Sequence, residues 1–153
     1  MTAKEYNIAV DQYADNIYRY VVKHLKDIEG AKDVVQDVFT KVWMKKEDVS
    51  YSKVKSYLFT AAHHTLIDAV RKNKFTDDVE AIDKVKFEKP IGNLDLQEVL
   101  HQALDQLPEI QKSVILLRDY EGYAYDEIGE ITGLKESQVK VYIFRARKKL
   151  QEI

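Results

Sequence analysis

Residues 124–150 decide the fold of this chain, and they read AYDEIGEITGLKESQVKVYIFRARKKL. Ile128 and Ile131 lie three residues apart, which places both on the inward face of a short helix. Gly133 follows, where the absence of a side chain permits the positive φ that ends a helix. A longer helix then carries its apolar residues on one side, namely Val139, Ile143, Ala146 and Leu150. A short helix, a glycine turn and a longer helix together predict a helix-turn-helix.

The opposite face of the last helix is polar and basic, and it is suited to DNA. Glutamine can pair with adenine in the major groove, and arginine can pair with guanine or hold a phosphate. The residues predicted to contact DNA are Ser137, Gln138, Lys140, Val141, Arg145 and Lys148. Phe144 also points outward, which fits contact with thymine methyl groups, packing beside the preceding helix or a protein partner. The alternative is a charged amphipathic helix in an ordinary bundle, which the glycine turn before a basic helix disfavours.

The composition of the chain favours a folded protein and excludes several kinds of site. The 153 residues include 45% apolar and 33% charged side chains, with few glycines and prolines. Cysteine is absent, which excludes disulfides, thiolate metal sites and a cysteine nucleophile. No apolar run approaches the roughly 18 residues that a membrane helix needs, and the start of the chain lacks a signal-peptide pattern. A cytoplasmic protein is therefore expected.

The residue patterns of an enzyme are missing from the sequence. No paired carboxylates, metal-ligand spacing, nucleophile elbow or phosphate-binding loop occurs. The neighbouring His63 and His64 would point about 100° apart on a helix, which disfavours a two-histidine metal site. Neither a catalytic residue nor a metal, a cofactor or a small-molecule substrate is expected.

Charge is distributed unevenly along the chain, although the net charge is only −2. Residues 41–75 carry 8 basic and 3 acidic side chains, and residues 135–153 carry 6 and 2. Between them, residues 76–95 carry 3 basic and 6 acidic side chains, and residues 96–134 carry 2 and 8. Phosphate binding needs a local positive potential rather than a basic whole protein. The two basic segments are therefore compatible with DNA binding, although charged runs are also common on solvated helix faces.

Helical periodicity dominates the sequence, so we predict an all-α fold of two small helical domains joined by a linker. Three helices, at about 5–25, 31–45 and 53–73, form a first domain of residues 1–75. Residues 76–93 lose the periodicity and contain a proline and a glycine, which predicts a linker. The second domain, residues 94–153, ends in the helix-turn-helix. Its first helix has inward positions at Leu96, Val99, Leu100, Ala103, Leu104 and Leu107.

Two surfaces of the first domain are candidates for binding. Asp33, Gln36 and Asp37 share one face of the second helix, which suits a partner with basic residues, although a solvated face is the simpler interpretation. The third helix mixes aromatic side chains such as Tyr57 with a basic end at 71–74. Aromatic rings interleaved with positive charge suit single-stranded or melted DNA, where bases stack or flip into pockets.

Four segments, in this order and spacing, resemble bacterial RNA polymerase sigma factors of the extracytoplasmic-function (ECF) type. They are DVVQDVFTKVW (33–43), YLFTAAHHTLIDAVRKNK (57–74), LDQLPEIQKSVILLRDYEGYAYDEIGEITG (104–133) and QVKVYIFRARKKL (138–150). The resemblance covers nearly the whole chain apart from the linker. It implies a protein that binds core RNA polymerase and directs transcription initiation from promoter DNA.

The resemblance also assigns roles to the first domain. It implies that the 33–43 helix docks on the clamp coiled coil of the polymerase β′ subunit, through Asp33, Gln36, Asp37, Phe39 and Trp43. It implies that residues 48–74 recognise and melt the −10 promoter element, with the loop Asp48–Lys53 holding a flipped base. The implied −10 contacts are Ser50, Lys53, Tyr57, His63, His64, Arg71, Lys72 and Lys74.

The last helix resembles the reader of the −35 element, and its domain is expected to contact the flap of the polymerase β subunit. His64 stands where the family often has asparagine, and Gln138 and Tyr142 stand where it often has threonine and arginine. These departures imply a distinct promoter preference. The family commonly has an anti-sigma partner, so one is expected here. The alternative function is a stand-alone helix-turn-helix regulator that binds duplex promoter DNA without polymerase.

Overall fold

The computed structural model describes the backbone of residues 1–80 and 96–152, with the side chains of 73–80, 96–99 and 101 left undescribed. Within these ranges the chain is all-α, as the sequence predicts, and no strand occurs. The helices are α1 (Ala3–Leu25), α2 (Ile28–Met44), α3 (Val54–Glu80), α4 (Leu96–Asp105), α5 (Glu109–Ile115), α6 (Tyr125–Thr132) and α7 (Glu136–Gln151). In the described part of the chain, none of the helices combines the length and apolar character that crossing a membrane requires.

Helices α1, α2 and α3 pack together around the apolar stripe that each carries. Thr2 begins α1, because its hydroxyl accepts from the Glu5 amide while the Glu5 carboxylate accepts from the Thr2 amide. The residues buried between the three helices include Ile17, Val21, Val34, Val38, Val42, Leu58, Ala62 and Leu66. Within each helix they recur three or four residues apart, which places them on one inward face.

Two helix boundaries differ from the prediction. Helix α2 begins at Ile28, three residues before the predicted start at 31. Helix α3 continues to Glu80, through the first five residues of the predicted linker 76–93. The segment 73–80 contains neither glycine nor proline, so nothing in it stops backbone hydrogen bonding from extending the helix. The rest of the predicted linker, residues 81–93, lies outside the described residues.

Helices α5, α6 and α7 form the second helical unit. A short π-helical turn, Leu116–Tyr120, follows α5 directly and leads toward α6. Helix α4 buries Ala103 and Leu104, but Leu100 is 37% exposed, so its predicted inward position is wrong. Helices α6 and α7 form the predicted helix-turn-helix, with Gly133 at the turn in a left-handed conformation (φ 79°). The buried side chains of α6 and α7 are Ile128, Ile131, Val139, Ile143 and Ala146.

The two helical units pack against each other, with α6 lying on α3 and α5 lying on α1. Phe59 of α3 and Tyr123, in the turn before α6, meet edge to face with ring centroids 5.2 Å apart. Both rings are buried, and a single hydrophobic core runs through the two units. The sequence carries no local signal for this closed arrangement.

Candidate nucleic-acid and polymerase interfaces

Helix α2 presents the predicted acidic face to solvent. Asp33, Gln36 and Asp37 are all exposed, and neither carboxylate pairs with a cation among the described residues. Trp43 lies at the end of the same helix and is 42% exposed. We call Asp33, Gln36, Asp37 and Trp43 the docking face.

Tyr6 of α1 supports the aromatic end of the docking face. Its ring meets Trp43 edge to face at 4.9 Å, and its hydroxyl donates to the Phe39 carbonyl oxygen at 2.9 Å. The Lys46 ammonium lies 4.2 Å from the centre of the Trp43 ring. Phe39 itself is buried, so its side chain supports the helix from inside and only Trp43 offers an aromatic surface to a partner.

The segment between α2 and α3 is a compact pair of 3-10 turns, Lys46–Asp48 and Tyr51–Lys53. Buried Val49 anchors it to the core. The Ser50 and Ser52 hydroxyls lie 3.0 Å apart, and both side chains face solvent. Lys53 and Tyr57 are also exposed, so the structure leaves the polar and aromatic groups of this segment available to a ligand.

His63 is buried, contrary to the expectation that it contacts DNA. The residue is only 5% exposed, and its Nδ1 lies 3.0 Å from the Tyr20 hydroxyl oxygen. Desolvation, together with the charges of His24 and His64, lowers the pKa of His63 to about 4, so the ring is neutral at pH 7. In this structure His63 packs α3 against α1, and it has neither the charge nor the exposure of a phosphate ligand.

Other predicted −10 residues on α3 lie at the surface. His64, Arg71 and Lys72 are exposed, whereas the side chain of Lys74 lies outside the described residues. Between α3 and the second unit is a groove of about 480 Å³. Its polar lining is His63, His64, Asp68, Arg71, Glu109 and Thr132.

The outward face of α7 forms a shallow depression of about 270 Å³. It is lined by Ser137, Gln138, Val141, Tyr142 and Arg145. Four of these five residues belong to the predicted DNA-contacting set, and the other two members of that set, Lys140 and Lys148, are exposed nearby. The structure therefore places the predicted −35 residues on one continuous surface.

Gln138 has a structural role that the sequence interpretation missed. Its Oε1 accepts from the Lys135 amide at 3.0 Å, which satisfies a free N–H at the start of α7. Two-pronged pairing with adenine needs both the oxygen and the nitrogen of the amide. Pairing of that kind therefore requires Gln138 to release the Lys135 amide at the start of α7.

Phe144 is 68% exposed, which excludes packing beside the preceding helix. The two other predicted roles of Phe144 are contact with thymine methyl groups and contact with a protein partner. Behind it, Arg147 holds α7 to the end of the π-helical turn, with Nη2 2.6 Å from Asp119 Oδ1. The hydrogen bond to Asp119 raises the pKa of Arg147, and the pair ties the guanidinium to a carboxylate of the same unit.

Comparison with known proteins agrees with the geometry of both units. The family model "Sigma-70 region 2" matches residues 9–76, and "Sigma-70, region 4" matches residues 97–150. RNA polymerase sigma factor YlaC of Bacillus subtilis is 31% identical over 150 residues, covering 92% of this chain and 87% of that protein. The ECF RNA polymerase sigma factor SigM of the same organism is 28% identical over 146 residues, covering 92% of this chain and 90% of that protein.

A solved structure shares the arrangement of the whole chain. The sigma factor RpoE of Bartonella quintana, crystallised with the anti-sigma factor NepR, has a TM-score of 0.80 and 27% identity, covering 98% of this chain and 96% of that one. The chain belongs to the sigma-70 family of RNA polymerase sigma factors, in the ECF group. It binds core RNA polymerase and promoter DNA and directs promoter recognition, and it is not a stand-alone regulator.

Proposed function

We propose that the functions of this sigma factor are divided between its two units, residue by residue. Residues 1–75 dock on core polymerase and melt the −10 element, residues 76–93 link the units, and residues 94–153 read the −35 element. The acidic docking face and the outward face of α7 support this division, because they carry opposite charge and lie on different units.

Core polymerase binds the docking face on α2. The observation that carries this assignment is a pair of exposed carboxylates, Asp33 and Asp37, neither of which forms an ion pair with a cation among the described residues. Such a face suits a basic helical surface, and the β′ clamp coiled coil is the partner that we propose. Trp43 adds a large, half-exposed ring next to the charges, and aromatic residues often contribute most of the binding energy at an interface.

The −10 element binds polar, aromatic and basic residues of α3 and of the segment before it. These are Ser50, Lys53, Tyr57, His64, Arg71, Lys72 and Lys74. Binding to the separated strand offsets unpairing and unstacking, which cost about 1–2 kcal/mol per base-pair step. Tyr57 offers a stacking surface, and Lys53 and Arg71 offer positive charge for the backbone.

The −35 element binds the outward face of α7. Ser137, Gln138 and Val141 lie in the first half of the helix, where a recognition helix reaches the bases. Lys140, Arg145 and Lys148 hold phosphates or guanine. The second unit also contacts the β flap, so that polymerase holds both readers and their weak individual contacts add by effective concentration.

The protein acts by binding alone, in the bacterial cytoplasm where RNA polymerase works, and it is controlled by an anti-sigma factor. The similarity of the whole chain to RpoE, which was crystallised with the anti-sigma factor NepR, supports such a partner.

Charge reversal of the docking face tests the proposal. Asp33→Lys with Asp37→Lys is expected to reduce core polymerase affinity at least tenfold while the helical content stays unchanged, because both residues are exposed. The matched control is Asp11→Lys with Asp15→Lys, an exposed acidic pair with the same spacing on α1. Unchanged core binding by the α2 variant, or an equal loss in the α1 control, would show that the docking face is assigned wrongly.

A further inference from the structure

Helix α7 begins with a hydrogen bond from a side chain that also lies on its outward face. Lys135, the residue before the helix, has no side-chain acceptor and makes no side-chain cap. Instead, the Oε1 of Gln138 accepts from the Lys135 backbone amide at 3.0 Å. A backbone N–H bonds only to an acceptor, so the oxygen of the Gln138 amide is directed at the start of the helix.

The same bond begins two other helices, where a glutamate makes it. At α1 the Glu5 carboxylate accepts from the Thr2 amide at 2.9 Å. At α6 the Glu127 carboxylate accepts from the Ala124 amide at 3.1 Å. A carboxylate suits this position, because the start of a helix carries a partial positive charge. The capping bond of α7 therefore does not explain why a neutral glutamine makes it.

Glutamine differs from glutamate at this position by its Nε2 group, which carries two N–H donors. Gln138 is exposed, and its Nε2 makes no hydrogen bond within the part of the chain that the structure describes. The residue lines the depression on the outward face of α7, beside Ser137, Val141, Tyr142 and Arg145. The unused donors therefore belong to the surface that we propose to read the −35 element.

A glutamine whose oxygen is engaged offers mainly donors to a base. Two-pronged pairing with adenine uses the amide oxygen for the N6 amino group and the amide nitrogen for N7. Guanine instead presents two acceptors, O6 and N7, in the major groove. Arginine and lysine, which have donors alone, pair with guanine for this reason. Gln138 resembles them while its Oε1 is held by the Lys135 amide.

We propose that Gln138 selects guanine in the −35 element, because its capping bond leaves the Nε2 donors to read the base. The inference rests on the proposed function of α7 as the −35 reader. It departs from the pairing with adenine that the sequence suggests. Releasing the capping bond in the complex would leave the Lys135 N–H without its acceptor where DNA displaces water, and an unpaired buried donor is costly.

Lys135→Pro removes the N–H that holds Gln138. The φ of Lys135 is −71°, which matches the fixed φ of proline, and no other bond of its N–H occurs among the described residues. The Gln138 amide is then able to present both its oxygen and its nitrogen to adenine, so the preferred base is expected to change from guanine to adenine. The matched control is Lys135→Ala, which removes the same charged side chain and keeps the N–H.

Substitutions of Gln138 itself test the donors. Gln138→Glu keeps an acceptor for the Lys135 amide and replaces Nε2 by an oxygen. Its preference is expected to change from guanine to cytosine, whose N4 amino group is a donor. Gln138→Ala removes both groups, so the −35 position at which it loses a preference is the position that Gln138 reads.

The measurement is the selection of promoters by holoenzyme, formed from core polymerase and each variant, from a library randomised in the −35 element. The parent chain and Lys135→Ala are expected to prefer guanine over adenine by roughly fivefold, at the lower end of what a base contact gives. Adenine is expected for Lys135→Pro and cytosine for Gln138→Glu. If Lys135→Pro loses helical content, the two Gln138 variants decide the outcome.

A base other than guanine preferred by the parent at that position would overturn the inference, as would no position affected by Gln138→Ala. The same holds if Gln138→Glu weakens binding equally for all sequences, because repulsion by phosphates alone has that effect. The proposed function survives these results as long as Arg145→Ala still weakens −35 dependence, and it fails with the inference if neither residue affects that element. Changes of preference to adenine in Lys135→Pro and to cytosine in Gln138→Glu support the inference.

Discussion

Helix α6 and the turn that follows it approach so closely at Gly129 that a side chain has no room. A β-carbon there would lie 2.8 Å from the Leu134 carbonyl oxygen, a backbone atom that cannot swing away. Gly129→Ala is therefore expected to push α7 away from α6. In an unobstructed helix the same change would stabilise by about 0.5–1 kcal/mol, because glycine is the poorer helix former.

Steric crowding outweighs that gain at this position. Forcing extra volume into a well-packed site costs about 1–3 kcal/mol, so the net expectation is destabilisation of roughly 1 kcal/mol. Urea unfolding of the variant, beside Glu130→Ala as an exposed control on the same helix, measures the difference. Footprints on a duplex containing the −35 element measure the displacement of the reader. A more stable variant with an unchanged footprint would refute this account of how α6 positions α7.

Three further predictions follow from individual contacts. Gln138→Ala removes the acceptor of the Lys135 amide and is expected to lower stability by roughly 0.5 kcal/mol, whereas Gln138→Glu keeps that acceptor and should lose little in thermal unfolding. Arg145→Ala is expected to weaken dependence on the −35 element in initiation assays, and an unchanged dependence would contradict the assignment of the α7 face. Burial lowers the pKa of His63 to about 4 from its ordinary value of 6.5, so the unfolded chain binds more protons than the folded one between these values. The contribution of His63 to the free energy of unfolding is therefore fully present above about pH 6.5 and decreases as the pH falls toward 4, with a loss of about 2 kcal/mol at pH 5. His63→Gln has no titrating ring, so its unfolding curves should not show this loss.

Local patterns predicted the helices and the helix-turn-helix well. The spacing of Val139, Ile143 and Ala146 depends only on helix geometry, and all three are buried as predicted. Gly133 has the positive φ that its position required. Such features could be predicted because their causes lie within a few residues of one another.

Features that depend on distant partners could not be predicted in this way. The histidine at position 63 looks like a DNA ligand in a basic helix, yet Tyr20, 43 residues earlier, takes its Nδ1. Glu121 looks like part of a helix stop, and nothing near it in sequence indicates three cations from the first unit. Contact between the units depends on packing between residues that are distant in sequence. The spacing of apolar residues within one helix does not predict such contacts.

The most direct test of the central claim is initiation by core RNA polymerase on a library of promoter sequences, with and without the purified chain. The account predicts that specific initiation requires the chain together with core enzyme, and that it depends on both a −10 and a −35 element. Binding of the chain to duplex promoter DNA with no core association and no specific initiation would contradict it.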